Sequence, residues 1–168
     1  MTNKEKRVPM IREVARTDLR DCLAVFHKGY GTVAEEFGLT EDNCPDRGRA
    51  SLPFEKLLAG FEQGTLMFCY TLQNRIVAFL GIRLDGAACK LDDIVVLPAY
   101  RGKGIGEELL AFCKRKAMEL GASEIYLGMI DDNVRLKTWY EAHGFVNTGY
   151  KKYEKAPFTV GYMRCVLL

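Results

Sequence analysis

The chain has 168 residues, of which 48% are hydrophobic and 27% charged, with a formal charge of +2. That is the size and balance of one globular domain, expected to span 1–168, and so small a charge argues against nucleic acid or an anionic membrane as partner. No apolar run approaches the roughly 20 residues that cross a bilayer, and the polar start 1–7 has no signal-peptide core behind it, so a cytoplasmic location is expected.

In chain order, 10–15 reads as a first strand and Thr17 as the cap of a helix carrying Leu19, Leu23 and Phe26. From 29 to 51 the period is lost, and Gly31, Gly38, the run 43–46 and Gly48 mark irregular chain. Pro53 suits a helix start, with Phe54, Leu57, Leu58 and Phe61 on one apolar face. Strands over 66–72, 75–84 and 89–97, joined by turns at Gln73-Asn74 and Asp85-Gly86, predict an antiparallel meander. Leu109, Phe112, Cys113, Ala117 and Leu120 then fall at helical spacing, and Gly121 closes that helix. A strand over 125–130 follows, Asp131 or Asp132 can cap a helix running to about His143, and 145 onward with 161–168 supply the last strands.

Cysteines stand at 22, 44, 69, 89, 113 and 165 with no Cys-x-x-Cys pair, which suits free thiols and argues against a metal site. Cys69, Cys113 and Cys165 lie in apolar segments and read as core, whereas Cys44 sits in a loop. His143 before Gly144 suits a helix-capping or dipole role, and His27 suits the surface or a substrate cleft.

The most informative stretch is Leu91 to Gly106. Ile94 to Leu97 form an apolar, mostly β-branched strand end, Pro98 stops it, and Gly102, Gly104 and Gly106 stand where strand becomes helix. Glycines there let a phosphate reach backbone N–H groups and the positive end of the helix dipole. A Walker A loop would continue Gly-Lys-Ser/Thr, but Glu107 and Glu108 follow Gly106; a dinucleotide fingerprint is Gly-x-Gly-x-x-Gly, but these glycines alternate. Arg101-Gly102-Lys103-Gly104-Ile105-Gly106 instead resembles the Arg/Gln-x-x-Gly-x-Gly/Ala pyrophosphate loop of the Gcn5-related N-acetyltransferase (GNAT) family, which binds acetyl-coenzyme A. Asn133, followed seven residues later by Tyr140 in Tyr140-Glu141-Ala142-His143-Gly144-Phe145, also matches that family, and the order of elements fits its mixed, mostly antiparallel sheet flanked by helices, an α/β (α+β) fold.

The resemblance implies transfer of acetyl from acetyl-coenzyme A directly to a primary amine, of a small molecule or a protein, by a monomer or homodimer. It assigns the coenzyme to the backbone of Ile94, Val95 and Val96, to Arg101, Gly102, Lys103, Gly104, Ile105 and Gly106, and to Asn133, with Tyr140 as the acid for the departing thiolate. Seven residues are close to two helical turns, so Asn133 and Tyr140 share a face. Several relatives carry a general-base Glu five residues before the Asn; that position here is Gly128. Asp92 and Asp93, which alternation would point to opposite faces, can replace it or can be merely solvated. Glu35 and Glu36, in the irregular region, can line the acceptor site or be a surface pair. The missing Glu also leaves room for a coenzyme-binding sensor or interaction module on the same fold.

Overall fold

The computed structural model describes residues 9–168, so the polar segment 1–7 lies outside the described residues. The chain forms β1 (Met10–Glu13), α1 (Leu19–Glu36), α2 (Phe54–Glu62), β2 (Leu66–Leu72), β3 (Arg75–Asp85), β4 (Ala88–Val96), α3 (Ile105–Glu119), β5 (Glu124–Ile130), α4 (Val134–Ala142), β6 (Val146–Lys152) and β7 (Thr159–Val166), in the predicted order. The strands make one sheet, β1-β2-β3-β4-β5-β7-β6, antiparallel except for the β4/β5 pair. The predicted meander is β2-β3-β4, and its first turn, Gln73-Asn74, has φ of 52° and 61°, the primed conformation that matches strand twist.

Strand alternation divides the helices between the two faces. Phe79 of β3 meets Phe26 of α1 edge-on at 4.7 Å, while Phe68 of β2 faces the other way and meets Phe112 of α3 at 4.8 Å. The buried thiols of Cys22, Cys69, Cys89, Cys113 and Cys165 belong to this core, with Cys44 half-buried in its loop. No helix among the described residues is long and apolar enough to cross a membrane.

Three local expectations are corrected. Asp18, not Thr17, stands at the N-cap of α1, after a 3-10 turn, and Asn133, not Asp131 or Asp132, caps α4, its Oδ1 accepting the Leu136 N–H at 3.2 Å. The third concerns the stretch from residue 29. Instead of losing its helix there, α1 continues through Gly29 and Gly31 to Glu36, and ends where Gly38 (φ 63°) lets the Leu39 N–H return to the Ala34 carbonyl at 2.8 Å.

Gly29 is a packing residue: a Cβ at that position would overlap the Val95 side chain of β4. Its helix-propensity cost, about 0.5–1 kcal/mol relative to Ala, is accepted in return for close approach of α1 to the strand that builds the site.

Candidate active site

The site begins where the sheet comes apart. β4 and β5 pair only from Ala88 to Lys90 against Glu124 to Tyr126, and beyond Lys90 the strands diverge. The Leu97 N–H donates to the Val77 carbonyl of β3, so by antiparallel alternation the backbone of Val95 faces β3 as well. The N–H and C=O groups of Ile94 and Val96 therefore face the gap. The expectation for this strand is narrowed: Ile94 and Val96 can offer hydrogen bonds to a ligand arm, whereas Val95 spends its own on Phe79 and contributes its side chain under Gly29.

The glycine loop follows at the end of β4. Gly102 (φ 74°) and Gly104 (φ 84°) take the left-handed conformation that glycine adopts without cost, and Gly104 is the N-cap of the 15-residue α3. The first intrahelical bond there is Glu108 N–H to Gly104 carbonyl at 3.1 Å, leaving the N–H groups of Ile105, Gly106 and Glu107 without helical acceptors. The two carboxylates of this first turn have partners of their own: Glu107 accepts from Trp139 Nε1 at 3.2 Å and Glu108 from the Tyr70 hydroxyl at 2.6 Å. A groove of about 630 Å³ runs from this helix end to the strand gap, lined by Gly102, Gly104, Gly106, Ile94, Val96 and Asn133 among others. Left-handed glycines, free helix N–H groups and an unpaired strand edge are the donor set that a pyrophosphate and an amide-bearing arm require.

The two cations of the loop have other employments. The Arg101 guanidinium donates to the Val96 carbonyl (3.1 Å), the Gly29 carbonyl (2.8 Å) and Thr32 Oγ1 (2.8 Å), stapling α1 to the end of β4; burial lowers its pKa from the ordinary arginine value. Arg101 thus lines the groove as a strut between two of its walls. Lys103 is exposed, its Nζ 5.4 Å from the Tyr100 ring centroid, and it lines a neighbouring depression rather than the groove. The left-handed turn at Gly102 (φ 74°) between them separates the two side chains, which the motif spacing could not show.

A second cavity, of about 460 Å³, lies across the gap and shares Tyr30, Val33, Ile94, Asn133 and Leu136 with the groove. Tyr140 is on its wall, 4% exposed, its ring packed edge-on against Trp139 (5.1 Å) and Phe145 (5.2 Å). Burial raises the pKa of its hydroxyl well above the ordinary phenol value, and the thiol of Cys113 and the carboxylate of Asp93 add to the effect. His143 sits at the end of α4, its Nδ1 2.7 Å from the Trp139 carbonyl, in the capping place expected of it; His27 is exposed, with Nε2 2.8 Å from the Leu52 carbonyl.

Asp92 and Asp93 do not separate to opposite faces. Gly81 pairs with Asp93 and Ile82 with Leu91, so a β-bulge leaves Asp92 unpaired, and both carboxylates line the same cavity. Their surroundings differ. Asp92 is gripped by Arg83 through Nε (2.5 Å) and a terminal nitrogen (3.0 Å), with Lys90 at 3.7 Å. Asp93, 6% exposed, accepts from the Tyr30 hydroxyl at 2.7 Å and pairs with Arg49 at 3.1 Å. Burial raises its pKa above the ordinary carboxylate value against the pull of Arg49 and Tyr30.

Glu35 and Glu36 end α1 instead of lying in an irregular segment; both are exposed, and Glu36 borders the groove, not the cavity across the gap. At Gly128 a Cβ would come within 3.1 Å of Val160 and 3.3 Å of the Tyr162 ring, so the place of the missing Glu is filled from β7. Tyr30, Arg49 and Tyr162 were not anticipated from the sequence. The one signal pointing to Tyr30 was its position between Gly29 and Gly31, read there as a break in the helix.

The acetyltransferase (GNAT) family matches residues 33–145. A thialysine N-epsilon-acetyltransferase from Bos taurus is 28% identical over 144 residues, covering 80% of this chain and 82% of that protein. Two solved structures share the fold. A ribosomal-protein-alanine N-acetyltransferase from Escherichia coli has a TM-score of 0.77 at 16% identity, over 95% of this chain and 94% of that one. The PaiA N-acetyltransferase from Thermoplasma acidophilum, in complex with coenzyme A, has a TM-score of 0.74 at 15% identity, over 95% and 99%. With the family matched over two-thirds of its length and an open strand edge meeting a glycine loop at a helix N-terminus, the chain belongs to the acetyltransferase (GNAT) family and is an N-acetyltransferase.

Proposed function

We propose that this enzyme moves acetyl from acetyl-coenzyme A directly to a primary amine of a small molecule held in the cavity across the strand gap. The observation that carries the reading is the position of Tyr140, on the cavity wall beside Asn133 and Leu136, which also line the groove. Bound in the groove, acetyl-coenzyme A supplies an acetyl group activated as a thioester. The N–H groups of Ile105, Gly106 and Glu107 hold the pyrophosphate, the backbone of Ile94 and Val96 holds the arm, and one of those strand N–H groups faces the acetyl oxygen where negative charge develops. Asp93 receives the proton of the incoming ammonium, directly or through water; Tyr140, protonated throughout the neutral range, gives its proton to the departing sulfur and regains one through solvent as the nitrogen loses its second proton on forming the amide.

Leu39, Gly48 and Arg49 on one side, with Tyr153 and Phe158 on the other, bound the cavity and support a small acceptor over an extended peptide. The bovine relative's acceptor, thialysine, is in keeping with that. The test is release of free thiol from acetyl-coenzyme A with a panel of small amines and of peptides bearing free amines. Small amines should give the larger signal above hydrolysis; signal from peptides alone would overturn the reading.

Asp93→Asn provides a second check with a defined sign. Without the carboxylate, transfer depends on amine already neutral in solution, so the deficit of the variant should widen as pH falls below the amine's pKa. It should level off only where Asp93 itself protonates in the wild type, above the ordinary carboxylate value, because both rates then fall together. A deficit independent of pH between those limits would make Asp93 an anchor for the amine and not its base.

A further inference from the structure

We propose that Arg49 is the receptor for an anionic group on the acceptor, so that the amine acetylated here belongs to a molecule that also carries a carboxylate or a phosphate. The proposal rests on the acceptor-cavity reading above and supplies the other half of the ligand.

Its first support is the backbone that carries Arg49. Asp46 (φ 62°), Arg47 (48°), Gly48 (62°) and Arg49 (76°) are four successive residues in the left-handed region, three of them not glycine. Such conformations are costly for residues other than glycine and persist only where surrounding contacts impose them. Here the contacts are present: Arg47 N–H to Cys44 carbonyl (2.8 Å), Ser51 N–H to Asp46 carbonyl (2.8 Å), Arg47 Nε to Leu39 carbonyl (3.4 Å), and an ion pair between Lys56 and Asp46. The strained turn holds the base of Arg49 in one place, while its side chain is still 43% exposed.

That place is a partition. Gly48, Arg49, Asp92 and Asp93 line both the cavity containing Tyr140 and a further cavity of about 620 Å³ that reaches toward α2. Charge on the walls of this further cavity is balanced: Asp46, Asp92 and Asp93 face Lys56, Arg83 and Arg49, each acid paired with one of the bases. A pocket for a polycation would carry an excess of acid. Three matched pairs instead suit a zwitterion, which can enter by exchange: its ammonium takes Asp93 and its anion takes Arg49, so neither protein charge is left alone. The planar guanidinium fork fits the oxygens of a carboxylate or a phosphate, and because Arg49 is already half in solvent it turns to meet them at little cost.

The experiment compares matched amines with and without the anion: L-lysine against cadaverine, L-ornithine against putrescine, and O-phosphoethanolamine against ethanolamine. Binding to the protein saturated with coenzyme A is measured by calorimetry, and thiol release from acetyl-coenzyme A is measured in parallel. The anionic member of at least one pair should bind about 10- to 100-fold more tightly, the range of a charge-assisted hydrogen bond. The responding pair tells carboxylate from phosphate. Arg49→Gln should abolish the preference and Arg49→Lys should keep part of it, with affinity for coenzyme A showing that the groove is intact. If Arg49→Gln loses coenzyme A, the lysine variant decides: an undiminished preference there overturns the role of the guanidinium fork.

Equal or tighter binding of the bare amines by the wild-type protein overturns the proposal, as does a preference that survives Arg49→Gln. The two readings fail separately. Anion-dependent binding without thiol release would leave Arg49 as the receptor and remove acetyl transfer from this cavity. Thiol release that ignores the anion would keep the transfer and remove the receptor.

Discussion

Tyr140→Phe should lower turnover by roughly 10²-fold or more, the scale of losing a general acid, with little change in affinity for acetyl-coenzyme A. The substitution keeps the ring and its edge-on contacts with Trp139 and Phe145, so the fold and the groove have no reason to change. What is lost is one proton at the cavity wall. Burial raises the hydroxyl pKa, so the wild-type enzyme holds that proton across the working range and Tyr140 adds no basic limb to its pH profile near neutrality. Water protonates a thiolate readily, since a thiol has a pKa of only about 8.5, and that route sets the residual rate of the variant. Single-turnover measurements, in which chemistry is isolated from product release, provide the check. A wild-type rate under those conditions would make Tyr140 a packing residue and solvent the acid.

Gly104→Val should weaken acetyl-coenzyme A binding by roughly 10-fold or more, about 1.4 kcal/mol at least. The glycine sits at φ 84° and ψ 3° as the N-cap of α3, a conformation that a β-branched residue resists. No neighbour lies within 4 Å of a Cβ built there, so the harm comes from the backbone turning to relieve the strain and from side-chain atoms standing in the phosphate path. Either change withdraws the helix N–H groups from the ligand. Gly86→Val is the matched comparison, since Gly86 (φ 58°) is also left-handed and also open, but lies in the β3–β4 turn. It should lose a similar amount of stability in a thermal melt while binding coenzyme normally in calorimetry. Equal affinities in the two folded variants would refute the pyrophosphate assignment.

The parts of this site that were legible in the sequence are those built from neighbours in the chain. The alternating glycines announce the loop because strand, turn and helix follow one another within 16 residues, 91–106, and Asn133 and Tyr140 announce a face because they ride on one helix. What escaped notice is what converges from afar. Tyr30, Arg49 and Asp93 meet from three separate segments, and no spacing encodes that encounter. The stretch from 29 to 51 reads as irregular chain in the sequence, because a glycine that ends a helix and one that, like Gly29, lets a helix touch a strand look alike there. Asp92 and Asp93 were sent to opposite faces by an alternation that holds only where the ladder is regular, and the bulge opposite Gly81 and Ile82 removes it. Arg101 was assigned to phosphate by its place in the motif, whereas three acceptors on α1 and β4 determine where its side chain goes.

The divergence of β4 from β5 amounts to an edge strand enclosed within a sheet. An outer edge is protected from stray pairing by charge, by bulges or by brevity; this inner one is closed at its end by Arg101 on the Val96 carbonyl and is otherwise left for a guest. A coenzyme arm bonded to Ile94 and Val96 would take the position of a missing strand and join the two halves of the sheet. Occupancy then becomes part of the folding equilibrium, adding about 2.7 kcal/mol when ligand stands at a hundred times its dissociation constant. The loaded protein would therefore resist unfolding more than the empty one, so that the ligand acts as a brace for the sheet as well as a reactant.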